Sequence, residues 1–139
     1  MGVVMSESRT AAPFRNRRLQ RRYHLAPESG ARMKFTYPAP AGVPYDLRLR
    51  DISLSGLSMM IPGDFPEMQA GDMIRGIEVR VSRKSFRGDL LVMHVTPTPE
   101  YGGICGGLFY PEGDEDLITV RLVIKALDAA DLAPPAELS

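Results

Sequence analysis

The sequence lacks tryptophan, has one cysteine and two histidines, and contains no apolar run long enough to span a bilayer. A single cysteine, Cys105, cannot form a disulfide within the chain, which is typical of a reducing compartment. Two histidines without an HxH or CxxC grouping give little support to a metal site. No secretory leader pattern follows the first residue. These absences favour a cytoplasmic protein with no cofactor and no membrane association.

Net charge is also lacking, because 17 basic residues balance 17 acidic ones. A chain with this balance does not bind nucleic acid or acidic membranes through its overall charge. The balance hides an asymmetry: six arginines and no acid lie between Arg9 and Arg22, whereas four acids lie between Glu112 and Asp116. With 139 residues, 44% of them apolar, the chain is long enough for one domain with a real core.

Hydrophobic periodicity predicts six strands and then one helix. Apolar and polar residues alternate, or apolar residues cluster between Gly and Pro breaks, in segments 31–37, 45–50, 57–61, 77–81, 86–95 and 104–110. Within 86–95, His94 falls on the same face as Leu90 and Val92, so we expect it to be half-buried. Apolar residues then repeat at helical spacing from Leu117 to Leu127, after an acidic first turn. We therefore predict a mainly β protein, a small six-stranded antiparallel β-barrel covered by a C-terminal α-helix.

The two ends of the chain have a different composition. Residues 1–16 are small, polar and basic, without apolar periodicity, so we expect a flexible N-terminal arm. The domain is predicted to occupy residues 17–130. A C-terminal tail, 131–139, contains two adjacent prolines that prevent continuation of the helix.

Arginines at a spacing of four occur just before the first predicted strand. The run from Arg17 to Arg22 contains two overlapping pairs, Arg17 with Arg21 and Arg18 with Arg22. The guanidinium group donates paired hydrogen bonds to guanine O6 and N7 or to phosphate oxygens, and it stacks on aromatic rings. Taken alone, such a run is more often a solvated basic segment.

A second motif, DxSxxG, follows the second predicted strand. Asp51 can accept hydrogen bonds from the N1–H and amino group of guanine, and Ser53 offers a hydroxyl to a phosphate or base. Gly56 allows close backbone approach or a positive φ angle. The alternative is an ordinary strand-end turn capped by Asp and Ser.

In their order and separation, the two motifs resemble those of the PilZ family, bacterial receptors for the second messenger cyclic di-GMP. The resemblance extends from Arg17 to about Leu127 and implies the same barrel-and-helix fold. It implies cyclic di-GMP as the ligand, bound by arginines of the first motif with Asp51, Ser53 and Gly56. The favoured pair is Arg18 and Arg22, because Tyr23-His24-Leu25 follows as in the family; the pair Arg17 and Arg21 remains open.

Two further features bear on the resemblance. In PilZ-like proteins a basic residue at the position of Arg17 goes with an intercalated ligand dimer, so we expect two ligands per chain. The chain departs from the family pattern between Ala26 and Arg32, where a long gap precedes the first clear strand and suggests a bulged or extended strand.

The resemblance implies a receptor that signals to a downstream protein in motility, exopolysaccharide or virulence control. An enzyme is not expected, because no GxSxG motif or acid–base–nucleophile set is present. One alternative is a PilZ-like interaction module that does not bind nucleotide. Another is a barrel that binds single-stranded nucleic acid, with Phe35 and Tyr37 beside Lys34 as the stacking residues. Nucleic acid is otherwise not an expected partner.

Overall fold

The computed structural model describes residues 21–99 and 102–131. These residues form a 3₁₀ turn (Pro27–Ser29), seven strands and an α-helix, in the order β1 (Tyr23–His24), β2 (Arg32–Tyr37), β3 (Val43–Ile52), β4 (Gly56–Ile61), β5 (Met73–Val81), β6 (Lys84–Pro97), β7 (Gly103–Pro111) and α1 (Asp114–Asp131). The six predicted strands and the helix are confirmed. The predicted arm (1–16), Arg17, Arg18 and residues 132–139 lie outside the described residues, so the arm, the tail and the domain bounds stay predictions.

Six of the strands close into a barrel. All pairings are antiparallel, in the order β3, β2, β5, β6, β7 and β4, and β4 pairs back with β3. Closure leaves none of these strands with a long unpaired edge, which is how small all-β domains avoid edge-to-edge association. The predicted six-stranded antiparallel barrel is therefore confirmed.

The seventh strand, β1, was not predicted. Its two residues pair with the end of β3, Tyr23 opposite Ile52 and His24 opposite Asp51. Strand β2 pairs with the first part of β3 along the same edge. The intervening residues, which include the 3₁₀ turn and Gly30 at φ 73°, bulge out between the two strands. The sequence gap between Ala26 and Arg32 is thus an interruption in one continuous pairing edge, and it brings the arginine segment to the end of β3.

Residues from each of the six barrel strands fill the barrel interior. Met33, Leu49, Met59, Ile77 and Val92 have no exposed surface. An aromatic cluster closes one end, where the rings of Tyr45 and Phe65 lie 4.7 Å apart. Phe35 is buried there, and Tyr37 stacks on Phe65 with ring centres 5.9 Å apart. The alternative of a base-stacking platform formed by Phe35 and Tyr37 is not supported, because Phe35 is buried and the Tyr37 ring packs on Phe65.

Helix α1 covers the barrel beside β6. Val120 and Val123 are buried against it, and Ile124 and Leu127 are partly buried at its edge. The acidic N-terminus is anchored by Asp116, whose carboxylate accepts hydrogen bonds from the backbone N–H groups of Arg87 and Gly113. In the described part of the chain, no helix has the combination of length and apolar character needed to cross a membrane.

Candidate functional site

The site is built on the outer face of the barrel, where a β-bulge changes the direction of side chains in β3. Leu49 lies opposite Met59 and faces the core, and strict alternation would turn Asp51 inward as well. The ladder shifts by one residue between them, so that Asp51 lies opposite Ser58 and Ile52 faces the core. Bulges re-aim side chains in this way and recur next to functional sites. Here the bulge places a carboxylate on the outside of the barrel.

The Asp51 carboxylate is held by two arginines although it is almost inaccessible to water. Its side chain is 3% exposed. Arg22 Nη1 donates to one carboxylate oxygen at 3.1 Å, and Arg50 Nη1 donates to the other at 2.9 Å. Burying an ionised carboxylate is costly unless it is paired and hydrogen-bonded, and both conditions are met. The arginine side chains are 56% and 35% exposed, so the positive charge over the buried acid remains accessible to a ligand.

Arg21 and Arg22 diverge, because neighbouring residues of an extended segment point to opposite sides. Arg22 reaches Asp51, the cross-strand partner of His24. Arg21 instead reaches Asp128 of α1 at 3.5 Å, and its guanidinium lies 5.0 Å from the centre of the Tyr23 ring. The hydroxyl of Tyr23 donates to the same Asp128 oxygen at 2.7 Å. Of these two arginines, therefore, Arg22 contacts the DxSxxG motif and Arg21 contacts the C-terminal helix.

Ser53 and Gly56 form the turn that joins β3 to β4. The backbone N–H of Ser53 donates to the carbonyl of Gly56 at 2.8 Å, and the N–H of Gly56 donates to Ser53 Oγ at 3.1 Å. A Cβ atom at position 56 would lie 2.3 Å from the carbonyl oxygen of Gly107, so close backbone approach, rather than a positive φ, accounts for this glycine. A structural role in this turn, which follows directly after Asp51, therefore accounts for both residues. Contact of Ser53 or Gly56 with a ligand stays a prediction.

Open hollows lie on both sides of β1. One, with a volume of about 510 Å³, is lined by residues of the arginine segment and of the last turns of α1, including Arg22, His24 and Leu127. The other, of about 470 Å³, lies between Arg21, Tyr23 and Leu54 on one side and α1 on the other. Both volumes are in the usual range for small-molecule sites. Arg17 and Arg18 lie outside the described residues, so the structure does not test their contribution.

The residues described contain no group of three or more His, Cys, Asp or Glu side chains arranged to hold a metal ion. Cys105 lies on the core side of β7, where burial raises the pKa of its thiol to about 11. A thiol with a raised pKa is a poor nucleophile at neutral pH.

Sequence reasoning missed Arg50 and misplaced His94. Arg50 is the extra residue of the β3 bulge and contacts Asp51. It was missed because the alternation of apolar and basic residues in this strand predicts an ordinary solvent-exposed side chain. The expectation that His94 is half-buried is wrong. A second bulge, between Val92 and His94, turns its side chain to the outer face, where it is exposed. Neither bulge has a glycine or proline that would have signalled it.

No protein-family model matches the sequence, and no curated protein matches it by sequence. Solved structures, in contrast, match the fold. The PilZ domain with c-di-GMP of YcgR from Escherichia coli superposes with a TM-score of 0.65 at 17% identity, covering 84% of this chain and 99% of that domain. The fold is that of a PilZ domain. Identity this low supports the PilZ fold and leaves the ligand to be argued from the site.

Two longer proteins show the same PilZ fold. MrkH of K. pneumonia, in complex with c-di-GMP, matches with a TM-score of 0.68 at 16% identity over 81% of this chain. MotI/DgrA, the Bacillus subtilis inhibitor of motility, matches with a TM-score of 0.62 at 11% identity over 80% of it. The chain spans about half the length of each, 52% and 49% respectively.

Proposed function

We propose that the protein is a cytoplasmic receptor for cyclic di-GMP rather than an enzyme. One observation carries the proposal: a buried carboxylate, Asp51, lies on the outer face of a PilZ barrel under two arginines that are themselves accessible. On a surface with no role beyond solubility, a carboxylate is normally exposed to water. YcgR and MrkH, which share the fold, have been solved with c-di-GMP bound, and this supports the choice of ligand.

Asp51 is suited to the edge of guanine that carries hydrogen-bond donors. Each carboxylate oxygen accepts one arginine hydrogen bond and has further acceptor capacity. Guanine N1–H and its amino group lie side by side and can donate to both oxygens of one carboxylate. Adenine presents no such pair of donors, so the proposed site discriminates between the two purines through Asp51.

Arg22 and Arg50 are placed to serve the rest of the ligand. Their guanidinium groups can pair with the phosphates or lie over the purine face while keeping contact with Asp51. Because Arg22 contacts Asp51 and Arg21 contacts Asp128, the geometry supports Arg18 with Arg22 as the ligand-binding pair. Residues four apart on an extended segment share a face, so Arg18 would point to the same side as Arg22.

The signalling step belongs to the same proposal. Arg22 contacts Asp51 and Tyr23 pairs with β3 without ligand, so the segment that ligand binding would bring against the barrel is the one before them, residues 15–20. Arg18 would converge with Arg22 on the ligand held by Asp51, and the segment would present a new surface to a downstream protein. Hydrogen exchange tests this step. New protection is expected in residues 15–20 and 51–56, with little change in helix residues 117–127. Equal exchange of residues 15–20 with and without bound ligand would contradict it.

Calorimetric titration with cyclic di-GMP tests the receptor proposal directly, with GMP, GTP and cyclic di-AMP as comparison ligands. Saturable binding of cyclic di-GMP alone is expected, and the position of Arg17 leads us to expect two ligands per chain. If no binding of cyclic di-GMP is detected at high ligand concentration, the receptor proposal fails. That result would favour the alternative of an interaction module that does not bind nucleotide. Saturation at one ligand per chain would contradict the stoichiometry only.

A further inference from the structure

A row of residues crosses four strands on the outer face and extends beyond the motif. Asp51 lies opposite Ser58, Ser58 lies opposite Gly106, and Gly106 lies opposite His94. The row therefore runs from β3 through β4 and β7 to β6. With strands spaced about 4.8 Å apart, it is about 14 Å long. A cyclic dinucleotide held at Asp51 by one base is large enough to cover much of it.

Ser58 is the unusual member of the row. It is 1% exposed, and its hydroxyl has no hydrogen-bond partner among residues 21–99 and 102–131. Leaving a buried hydroxyl unpaired costs free energy, and such a group in a folded protein calls for an explanation. Its strand neighbours Leu57 and Met59 face the core, so Ser58 faces the same side as Asp51. The orphaned hydroxyl thus lies one strand away from the buried carboxylate.

The His94 ring lies over Gly106, the residue opposite Ser58 in the neighbouring strand β7. A Cβ atom at Gly106 would be 2.7 Å from Cε1 and Nε2 of the His94 ring and 3.4 Å from the Cβ of Ser58. The tip of the imidazole therefore occupies the space that a side chain at position 106 would fill. His94 is exposed and is set on the outer face by the β6 bulge, and an exposed side chain can change between staggered rotamers at low cost.

We propose that Ser58 and His94 are further ligand-binding residues, which extend the surface for the cyclic dinucleotide from Asp51 across β4 and β7. The ligand turns the His94 ring away from Gly106, the Ser58 hydroxyl donates a hydrogen bond to a phosphate oxygen, and His94 Nε2 donates to the same phosphodiester. Gly106 leaves room for the sugar–phosphate backbone to approach the sheet. The proposal rests on the proposed function, since it concerns the same ligand.

Ser58→Ala separates a binding role from a structural one, with Ser53→Ala as the matched control. We expect Ser58→Ala to weaken cyclic di-GMP binding about five- to tenfold, as for loss of one hydrogen bond. The melting temperature of the free protein should stay equal or rise, because the hydroxyl has no partner to lose. Ser53→Ala removes turn hydrogen bonds and should lower it. Unchanged affinity in Ser58→Ala would overturn the role of Ser58.

Imidazole NMR gives an independent test, because the chain has only two histidines, His94 at one end of the row and His24 opposite Asp51 at the other. A His94→Gln variant assigns the signals. On addition of cyclic di-GMP the His94 resonances should shift, and His94→Ala should weaken binding about three- to tenfold. If the wild-type protein binds the ligand but the His94 signals do not move, this proposal fails and the receptor function stands. If the wild-type protein does not bind, both fail.

Discussion

The outer surface over β2, β3 and β5 is concave and rich in charge, and the surface around Asp51 is also charged but is built differently. The first region forms a hollow of about 440 Å³ lined by Lys34, Asp46, Arg75, Glu78 and Arg87, among others. Its carboxylates are solvated: Arg32 pairs with Asp46 at 2.9 Å, yet the two side chains are 44% and 51% exposed. At the second surface the carboxylate is 3% exposed and takes an arginine on each oxygen.

The difference shows that concavity and charge do not by themselves mark a binding site. Exposed ion pairs contribute about 0–1 kcal/mol, so those of the hollow can be rearranged by solvent with little consequence. At the Asp51 surface the buried carboxylate is compensated by its two arginines, but the buried hydroxyl of Ser58 lowers the stability of the free protein, because it has no hydrogen-bond partner among the described residues. A ligand that bonded to this hydroxyl would remove that cost, whereas the exposed ion pairs of the hollow leave no such cost to remove.

The largest expected effect is that of Asp51→Asn compared with Asp46→Asn. Asp51→Asn should weaken cyclic di-GMP binding at least about 30-fold, because truncating one partner of a buried charged contact costs about 2–5 kcal/mol. Asp46→Asn should change it less than about twofold, since its ion pair is exposed. Calorimetry measures both, and circular dichroism verifies that each variant is folded. Equal affinities in the two variants would remove the distinction between the surfaces.

Arg22→Ala compared with Arg21→Ala comes next. Arg22→Ala removes a donor to the Asp51 carboxylate and should weaken binding about 10- to 100-fold. The domain should stay folded, because Arg50 still donates to the same carboxylate. Arg21→Ala loses contacts to α1 and should weaken binding less than about threefold.

The same titrations decide which arginine pair binds the ligand, Arg18 with Arg22 or Arg17 with Arg21. If Arg18 and Arg22 form the pair, Arg18→Ala should resemble Arg22→Ala, whereas Arg17→Ala should change the stoichiometry rather than the affinity of the first ligand. Severe loss in Arg21→Ala with near-normal binding in Arg22→Ala would establish the other pair, Arg17 with Arg21.

Gly56→Ala compared with Gly63→Ala tests the frame of the site. A methyl group at position 56 would meet the Gly107 carbonyl oxygen at 2.3 Å, so β4 and β7 must separate. We expect a loss of about 1–3 kcal/mol in the free energy of unfolding, the usual cost of forcing atoms into a packed region. A Cβ at Gly63 meets nothing within 4 Å, and Gly63→Ala should be nearly neutral. Chemical denaturation measures both, and equal stabilities would show that the close approach is relaxed in solution.

The sequence predicted the barrel and helix because its strands alternate cleanly and its helix repeats at helical spacing. It failed for His94, where the alternation is interrupted. Counting from Val92 turns His94 inward, yet a bulge in β6 reverses the direction. A bulge in β3 also sets the direction of Asp51, which was expected to bind the ligand because of its motif and not because of strand periodicity. Single-residue register shifts depend on the partner strand, so they are not visible in a strand's own sequence.

The residues of the candidate site likewise divide into those that the sequence identifies and those that it does not. The motif residues Asp51, Ser53 and Gly56 could be found because their spacing resembles a known family. Arg50, Ser58 and His94 could not, because their proposed roles come from cross-strand position. Strand β1 was missed for a related reason. Two residues give no periodicity, and their pairing with β3 depends on the turn that separates them from β2.

The smallest expected effect concerns the two faces of β7, where Cys105 faces the core and Gly106 the site. Burial raises the pKa of the Cys105 thiol to about 11, so on the order of 0.1% is thiolate at pH 8, and Met68 packs against its sulfur at 3.8 Å. A thiol reagent should therefore react with the folded protein far more slowly than with the denatured chain. Because the ligand is proposed to contact only the outer face, saturating cyclic di-GMP should leave this reaction unchanged or slow it slightly through stabilisation. Faster labelling in the presence of ligand would show instead that binding opens the barrel, and the separation between a rigid core face and an adaptable outer face would be lost.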